Sequence, residues 1–324
     1  MNDGAPGGDL KALLARADDY AARGDIRAAT TFYQTALRSA QAARFVNPQI
    51  VPDLQRGQSF IQRAAESFRA SLQRAIDDNQ PQEPIAALRV QHALDMLKGE
   101  RQVYQQQPSV LYYPYLAQRQ FFEREEFDWV PGLEAAAPAI REELLALLED
   151  DTGFAPYVEN EPDRPHREFQ GLNENPSWSA LYLWRDARPV EENARRCPQT
   201  MAALEKVPMS GIGGRTPSVL FSRLEPGAHI PPHSGMLNCR LIGHLPLIVP
   251  AGCWLRVGNE TRQWQQGKVM IFDDSFEHEA KNPTGELRII LLFDIWRPEI
   301  GEEEKPAISA IFDSIDRFQG LPDA

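Results

Sequence analysis

Cysteine is scarce, with Cys197, Cys239 and Cys253 the only three among 324 residues. Their number is odd and none stands in CxxC spacing, which argues against a disulfide framework and a zinc–thiolate site. Free, buried thiols in a reducing compartment are the expectation that remains. Positive charge is also short, with 34 Lys and Arg against 46 Asp and Glu, a formal net charge of −12. Neutralising phosphates needs clustered cations, so no nucleic-acid partner is expected. Long apolar runs are missing, since no segment approaches the roughly 18 residues that a membrane span requires. The opening MNDGAPGGDLKALLARADDY has no basic stretch leading into an apolar one, so no secretory signal is expected. No membrane association and a cytoplasmic location follow as expectations.

What the chain does contain changes character along its length. Residues 1–9 are rich in Gly, Pro and Asp and are expected to be disordered. From Leu10 apolar residues recur at three- and four-residue steps (Leu10, Leu13, Leu14, Ala17), the period of an amphipathic helix. Gly24-Asp25 interrupts the run, and Ala28, Ala29, Phe32, Tyr33, Ala36 and Leu37 predict a second helix. Small and aromatic residues at these offsets resemble a tetratricopeptide helix hairpin, which needs neighbours to cover its face. Helical patterns at 54–78 and 84–99 supply them. Residues 10–107 therefore read as a helical, tetratricopeptide-like region, either a plain helical cap or a surface for a protein partner.

A proline-bearing linker at 105–115 precedes the second half. Pro131 opens a helix running to about 149, and the proline-rich stretch 150–176 reads as a loop containing His166. Beyond it short Val-, Ile-, Leu- and Phe-rich segments predict strands at 178–184, 218–224, 240–249, 254–257, 268–272 and 286–295. Turns fall at Pro226-Gly227, Gly258-Asn259 and Pro283-Thr284-Gly285. A helix is predicted at 194–204 and another closing the chain at 309–318. Strands at this spacing favour an antiparallel jelly roll over a parallel α/β sheet. The fold class is α+β, with the helical region followed by a double-stranded β-helix (jelly-roll, cupin-like) domain over 108–324.

Four of the six histidines, His229, His233, His244 and His278, fall within this second half. His233 follows Pro231-Pro232 at a strand-to-turn edge, and His278 follows the apolar VMIF in DDSFEHE. Two imidazoles brought from separate strands suit a divalent transition metal with open positions, although backbone hydrogen bonds could equally satisfy them. The position two after His233, where a facial triad would carry a carboxylate, is Gly235. His229 reads as structural, because Pro231 and Pro232 prevent the helix that would align its ring with that of His233. Arg288 is the only charge inside the strand LRIILLF and needs a carboxylate partner. An internal acid (Asp273, Asp274 or Asp294) would serve, as would a bound dicarboxylate gripped by the planar guanidinium. Arg240 and His244 share its parity on the preceding strand and face one side.

These residues carry a family resemblance. The segments WSALYLW, PGAHIPPHSG, NCRL with the following His244, GNET, GKVMIFDDSFEHE and DIWRP, spanning 178–298, are similar to the aspartyl/asparaginyl β-hydroxylases. That family comprises Fe(II)- and 2-oxoglutarate-dependent dioxygenases that use O₂ to hydroxylate an unactivated C–H. The resemblance implies His233 and His278 as iron ligands, with Gly235 in keeping with a family that lacks the third protein ligand. It implies Arg288 and Ser222 as the grip on the distal carboxylate of 2-oxoglutarate, His244 and Trp178 as co-substrate contacts, and Arg240 as a substrate-binding residue. One position departs: the family's Cys-Arg-Leu-Arg-x-His has Ile242 where its second arginine belongs. A peptide Asp or Asn, or a small molecule, is the expected substrate. The alternatives are a non-catalytic module that senses an oxo acid or metal or binds a protein, and a cupin-like isomerase that does not need O₂.

Overall fold

A computed structural model describes residues 6–149, 153–160, 169 and 171–318. His166 lies outside the described residues. The chain forms two compact units, 1–102 and 103–324.

The first unit is helical: α1 (Pro6–Ala22), α2 (Ile26–Ala42), α3 (Val51–Asp77) and α4 (Pro84–Lys98). Helix α1 begins inside the stretch expected to be irregular. The α1–α2 turn needs a left-handed residue, which Gly24 supplies at φ 77°, and Asp25 then caps α2 through the amide of Ala28. Ala17, Ala29 and Ala36 are fully buried; residues this small let the helices approach closely. Gly57 of α3 meets the Tyr33 ring where any Cβ would stand 2.6 Å from it, so the third helix docks on the same core.

Among its described residues the second unit contains α5 (Val130–Glu149), α6 (Glu191–Arg196), α7 (Pro198–Leu204) and α8 (Glu304–Phe318), with twelve strands. These are β1 (Phe121–Phe122), β2 (Ala155–Pro156), β3 (Trp178–Arg185), β4 (Arg188–Pro189), β5 (Val219–Leu224), β6 (His229–His233), β7 (Arg240–Ile248), β8 (Trp254–Val257), β9 (Glu260–Gln263), β10 (Met270–Phe272), β11 (His278–Lys281) and β12 (Arg288–Trp296). Two antiparallel sheets result. The larger runs β1-β10-β7-β12-β5-β3-β2, with β4 beside β3, and the smaller runs β6-β11-β8-β9. One face of the large sheet is apolar and packs Leu181, Phe221, Leu245, Leu291 and Phe293 against Leu133, Ile140 and Leu144 of α5. Strands covered on both faces read as near-continuous apolar runs, and RIILLFDIW is one. The opposite face carries the alternate residues and looks toward the small sheet.

Helix α8 braces the loop between α7 and β5. Ser309 Oγ accepts the Gly213 amide and donates to the Gly211 carbonyl, Arg215 pairs with Asp316, and the Arg215 guanidinium covers Phe312. That loop reaches the cavity between the sheets through Arg215 and Thr216.

Candidate active site

Strands β6 and β11 are neighbours, and His233 stands directly opposite His278 in their register. Their rings lie 4.1 Å apart, centroid to centroid. Proline is tolerated in β6 because it is an edge strand of its sheet, so Pro231-Pro232 sits inside the strand just ahead of His233. At β11 the turn Asp273–Ser275 is anchored from below. The buried Asp273 carboxylate accepts bonds from Ser275, Gln106 and Arg297. That anchor fixes where His278 emerges.

Both imidazoles are oriented in the same manner. Nδ1 of His233 lies 2.8 Å from the Pro231 carbonyl, and Nδ1 of His278 lies 3.0 Å from the Phe276 carbonyl. A carbonyl can only accept, so Nδ1 carries the proton and Nε2 keeps its lone pair, the arrangement that prepares histidine as a metal ligand. Burial lowers the His233 pKa despite that bond. Burial, with His233 alongside, lowers that of His278 to about 3. Two neutral, lone-pair-bearing imidazoles thus face each other across one cavity.

Deeper in the cavity is Arg288, 1% exposed. Asp273, Asp274 and Asp294 are all engaged by other arginines, and Arg288 makes no ion pair among the described residues. Its Nη1 reaches the carbonyl and hydroxyl of Ser222 at 3.2 and 3.4 Å, its guanidinium lies over the Trp264 ring, and its Nε has no partner. Burial pulls its pKa down to about 10. Around it, Trp178 donates to Ser222 Oγ, and Trp264 donates to Nδ1 of His244. Ser222 therefore has its hydroxyl proton to give, and His244 is protonated at Nε2; burial, then Arg288, hold its pKa well below the ordinary value. Trp178 acts by fixing Ser222, since its own N–H is already used. The cluster offers one positive charge with no acid partner among the described residues and an Arg288 Nε with no acceptor, which fits a carboxylate guest.

Arg240 also lines the cavity, but it is not a free cation. Its Nη1 and Nη2 bond Asp294 and Asp274. Burial opposes its charge, yet the two acids outweigh that and raise its pKa. Asp274 is the residue that sequence reasoning missed as a site residue, having offered it only as a partner for Arg288. Its Oδ2 takes Arg240, while its buried Oδ1 has no partner. Burial raises its pKa to about 7 against the pull of Arg240. A Cβ on Gly235 would lie 2.0 Å from Asp274 Oδ2, so the Asp274 carboxylate fills the room a side chain at 235 would need. The sequence signal was its place in DDSFEH, four before His278. Gly235→Ala should therefore push Asp274 off Arg240 and destabilise the protein by about 1–3 kcal/mol in urea unfolding. Combined with Asp274→Ala, the loss should be smaller than the sum of the single losses.

All seven residues singled out from the sequence, His233, His278, Trp178, Ser222, His244, Arg288 and Arg240, line one cavity of about 400 Å³, and Ile242 lines it with them. His229 does not: it is exposed and bonds Glu279 at 2.7 Å. Among the described residues no group of three or more His, Cys, Asp or Glu could hold a metal ion, so any metal here rests on the histidine pair.

Two antiparallel sheets with a cavity between them, lined by the paired histidines and the buried arginine, define a cupin-like jelly roll. The profile of the aspartyl/asparaginyl beta-hydroxylase family matches residues 134–298, and the chain belongs to that family. It is 39% identical over 184 residues to human aspartyl/asparaginyl beta-hydroxylase, a match covering 56% of this chain and 23% of that protein. It is 34% identical over 191 residues to the ornithine lipid ester-linked acyl 2-hydroxylase of Rhizobium tropici, covering 58% of this chain and 64% of the relative. A third relative, human aspartate beta-hydroxylase domain-containing protein 1, is 30% identical over 211 residues, 64% of this chain and 52% of that protein. The chain thus spans only part of each relative's length.

Proposed function

We propose that the chain is an Fe(II)- and 2-oxoglutarate-dependent hydroxylase acting on an unactivated C–H. One observation carries this reading: a buried guanidinium without an acid partner, beside a histidine pair whose Nε2 lone pairs are left free. His233 and His278 would hold the iron, and Arg288 with the Ser222 hydroxyl would hold the distal carboxylate of 2-oxoglutarate. With O₂, that assembly supplies the oxidant that inserts a hydroxyl. The chain's own part is positional. The Pro231 and Phe276 carbonyls lock the imidazole tautomers, Trp178 and Trp264 aim Ser222 and His244, and Phe169, Phe272 and Leu292 among the lining residues exclude water from the middle of the cavity. Ile242, standing where the family has an arginine, adds to this apolar band and leaves Arg288 as the ionic anchor.

Among the relatives, one is named for aspartyl and asparaginyl hydroxylation and another for acyl hydroxylation of ornithine lipid, so a peptide or a small molecule is the substrate class we put forward. The tetratricopeptide-like reading of α1 and α2, with a protein partner, belongs to the same proposal. So does a cytoplasmic setting, which three free, buried cysteines support. Among the described residues no helix is long and apolar enough to cross a membrane.

The test is succinate release from 2-oxoglutarate with Fe(II) in air. Slow release without substrate, lost on chelation, is expected. Tight oxo-acid binding with no turnover of any substrate would instead favour the sensor. An O₂-independent reaction would favour the isomerase.

A further inference from the structure

The proposed metal and oxo-acid sites leave one cavity-lining group unused, the phenol of Tyr157. The residue follows β2 and is pinned on both sides. Its amide donates to the Trp178 carbonyl at 2.9 Å, and the Val158 carbonyl accepts the Glu174 amide at 2.9 Å. Its ring stacks on that of Trp178, 3.9 Å between centroids and 15° from parallel, which fixes the direction of its C–O bond. The hydroxyl has no hydrogen-bond partner among the described residues, yet it is not sealed inside the fold as Nε of Arg240 and Oδ1 of Asp274 are. A tyrosine this enclosed ordinarily spends its O–H on a partner. Within electrostatic reach of it are Tyr182, Asp294, Arg240 and Asp274, all lining the same cavity. Burial raises its pKa, so the phenol keeps its proton and stands as a donor.

We propose that Tyr157 is a substrate-binding residue, its hydroxyl donating a hydrogen bond to a carboxylate or amide oxygen of the group that is hydroxylated. The inference rests on reading the cavity as a hydroxylase site and adds a residue that meets the substrate rather than the metal or the oxo acid. The cations nearby are already held by acids: Arg240 bonds Asp294 and Asp274, and Arg215 pairs with Asp316. Ile242 brings no donor of its own. A substrate oxygen arriving here therefore gains from a donor that the fold does not use. The stack has already ordered that donor, so little freedom is lost when it binds. A substrate with only apolar atoms at this point would cut the hydroxyl off from water and leave it unpaired. That penalty sorts substrates as much as the bond itself does.

The test uses three capped tripeptides, Gly-X-Gly, in which X is aspartate, asparagine or alanine. Binding to the full chain loaded with Fe(II) and 2-oxoglutarate is measured by calorimetry without O₂, so that no turnover is needed. The aspartate or the asparagine peptide is expected to bind at least about tenfold tighter than the alanine peptide, and the tighter of the two names the acceptor. Tyr157→Phe keeps the stacked ring and removes only the hydroxyl. It should weaken the favoured peptide about five- to tenfold and the alanine peptide by less than about twofold. Thermal unfolding with and without 2-oxoglutarate checks that this variant is folded. An equal loss for all three peptides would make Tyr157 a structural residue, and an undiminished favoured peptide would leave its hydroxyl without a role. Either result overturns the proposal, as does a parent protein that prefers neither acceptor peptide to alanine or binds none of the three. That last comparison uses the unaltered protein, so it does not depend on a variant folding. Succinate release in air without peptide checks the hydroxylase reading separately, so either reading can fail alone.

Discussion

Replacing His278 with alanine is expected to lower iron affinity by more than the roughly 10–100-fold that loss of an outer-shell partner costs, and His233→Ala should do the same. On the proposed ligand set, two histidines with glycine at position 235, each substitution would remove half of what the chain contributes to the metal. The readouts are metal content after dialysis and succinate release. The pair also sets the pH response. A proton competes with the metal for Nε2, and an ordinary histidine with a pKa near 6.5 would begin to lose that competition just below neutrality. Burial lowers the His233 pKa and brings that of His278 to about 3, so the lone pairs stay available as pH falls. Iron affinity should therefore be nearly flat between about pH 8 and pH 6, where an exposed histidine pair would already weaken. Full metal occupancy in either alanine variant would sink the ligand assignment.

The large sheet was legible because its strands are long and apolar. Arg240–Ile248 and Arg288–Trp296 lie inside the molecule, and their runs of Leu, Ile and Phe announce it. Of the small sheet only Trp254–Val257 was legible, predicted with the bounds it has. His229–His233 holds two prolines, and Glu260–Gln263 and His278–Lys281 are short and mostly polar, so nothing in their composition signals a strand. Their pairing is set by the partner strands and by the Asp273 anchor, which are tertiary effects. The helix expected at 194–204 is in fact α6 and α7, broken at Cys197 ahead of Pro198, since the residue before a proline is pushed out of helical geometry.

The candidate site divides along the same line. Residue types at revealing places, histidines at strand ends and one arginine in an apolar run, pointed to a cavity. Which acid serves which arginine was beyond reach. Three aspartates stood as partners for Arg288, and the fold gives Asp273 to Arg297 and both others to Arg240. That allocation depends on register, where Ile242 lies opposite Asp294 and Arg240 opposite Trp296, and on a turn that tucks Asp274 beside Gly235. A sequence without coordinates carries neither.

That allocation makes Arg288→Met the second large test, and its two expected effects have opposite signs. The fold holds the guanidinium charged in a dry place with nothing but Ser222 and an aromatic face to support it. Its pKa of about 10, against an ordinary value above 12, corresponds to a cost of roughly 3 kcal/mol at about 1.4 kcal/mol per pH unit. Methionine fills similar volume without charge, so the unliganded variant should be more stable than the parent, by about 1–3 kcal/mol once the lost Ser222 bonds are discounted. The same change should remove binding of 2-oxoglutarate. In the parent, co-substrate at a hundred times its Kd should add about 2.7 kcal/mol of stability, and in the variant that increment should vanish. Arg288→Lys separates charge from shape: an ammonium keeps the charge but cannot offer two parallel donors, so a weakened yet measurable increment is expected. Thermal unfolding with and without 2-oxoglutarate reads all three proteins. An increment that survives in the methionine variant would move the oxo-acid site elsewhere. A methionine variant less stable than the parent when empty would mean that the buried charge is already satisfied within the fold, and the reason for placing a dicarboxylate beside it would go with that result.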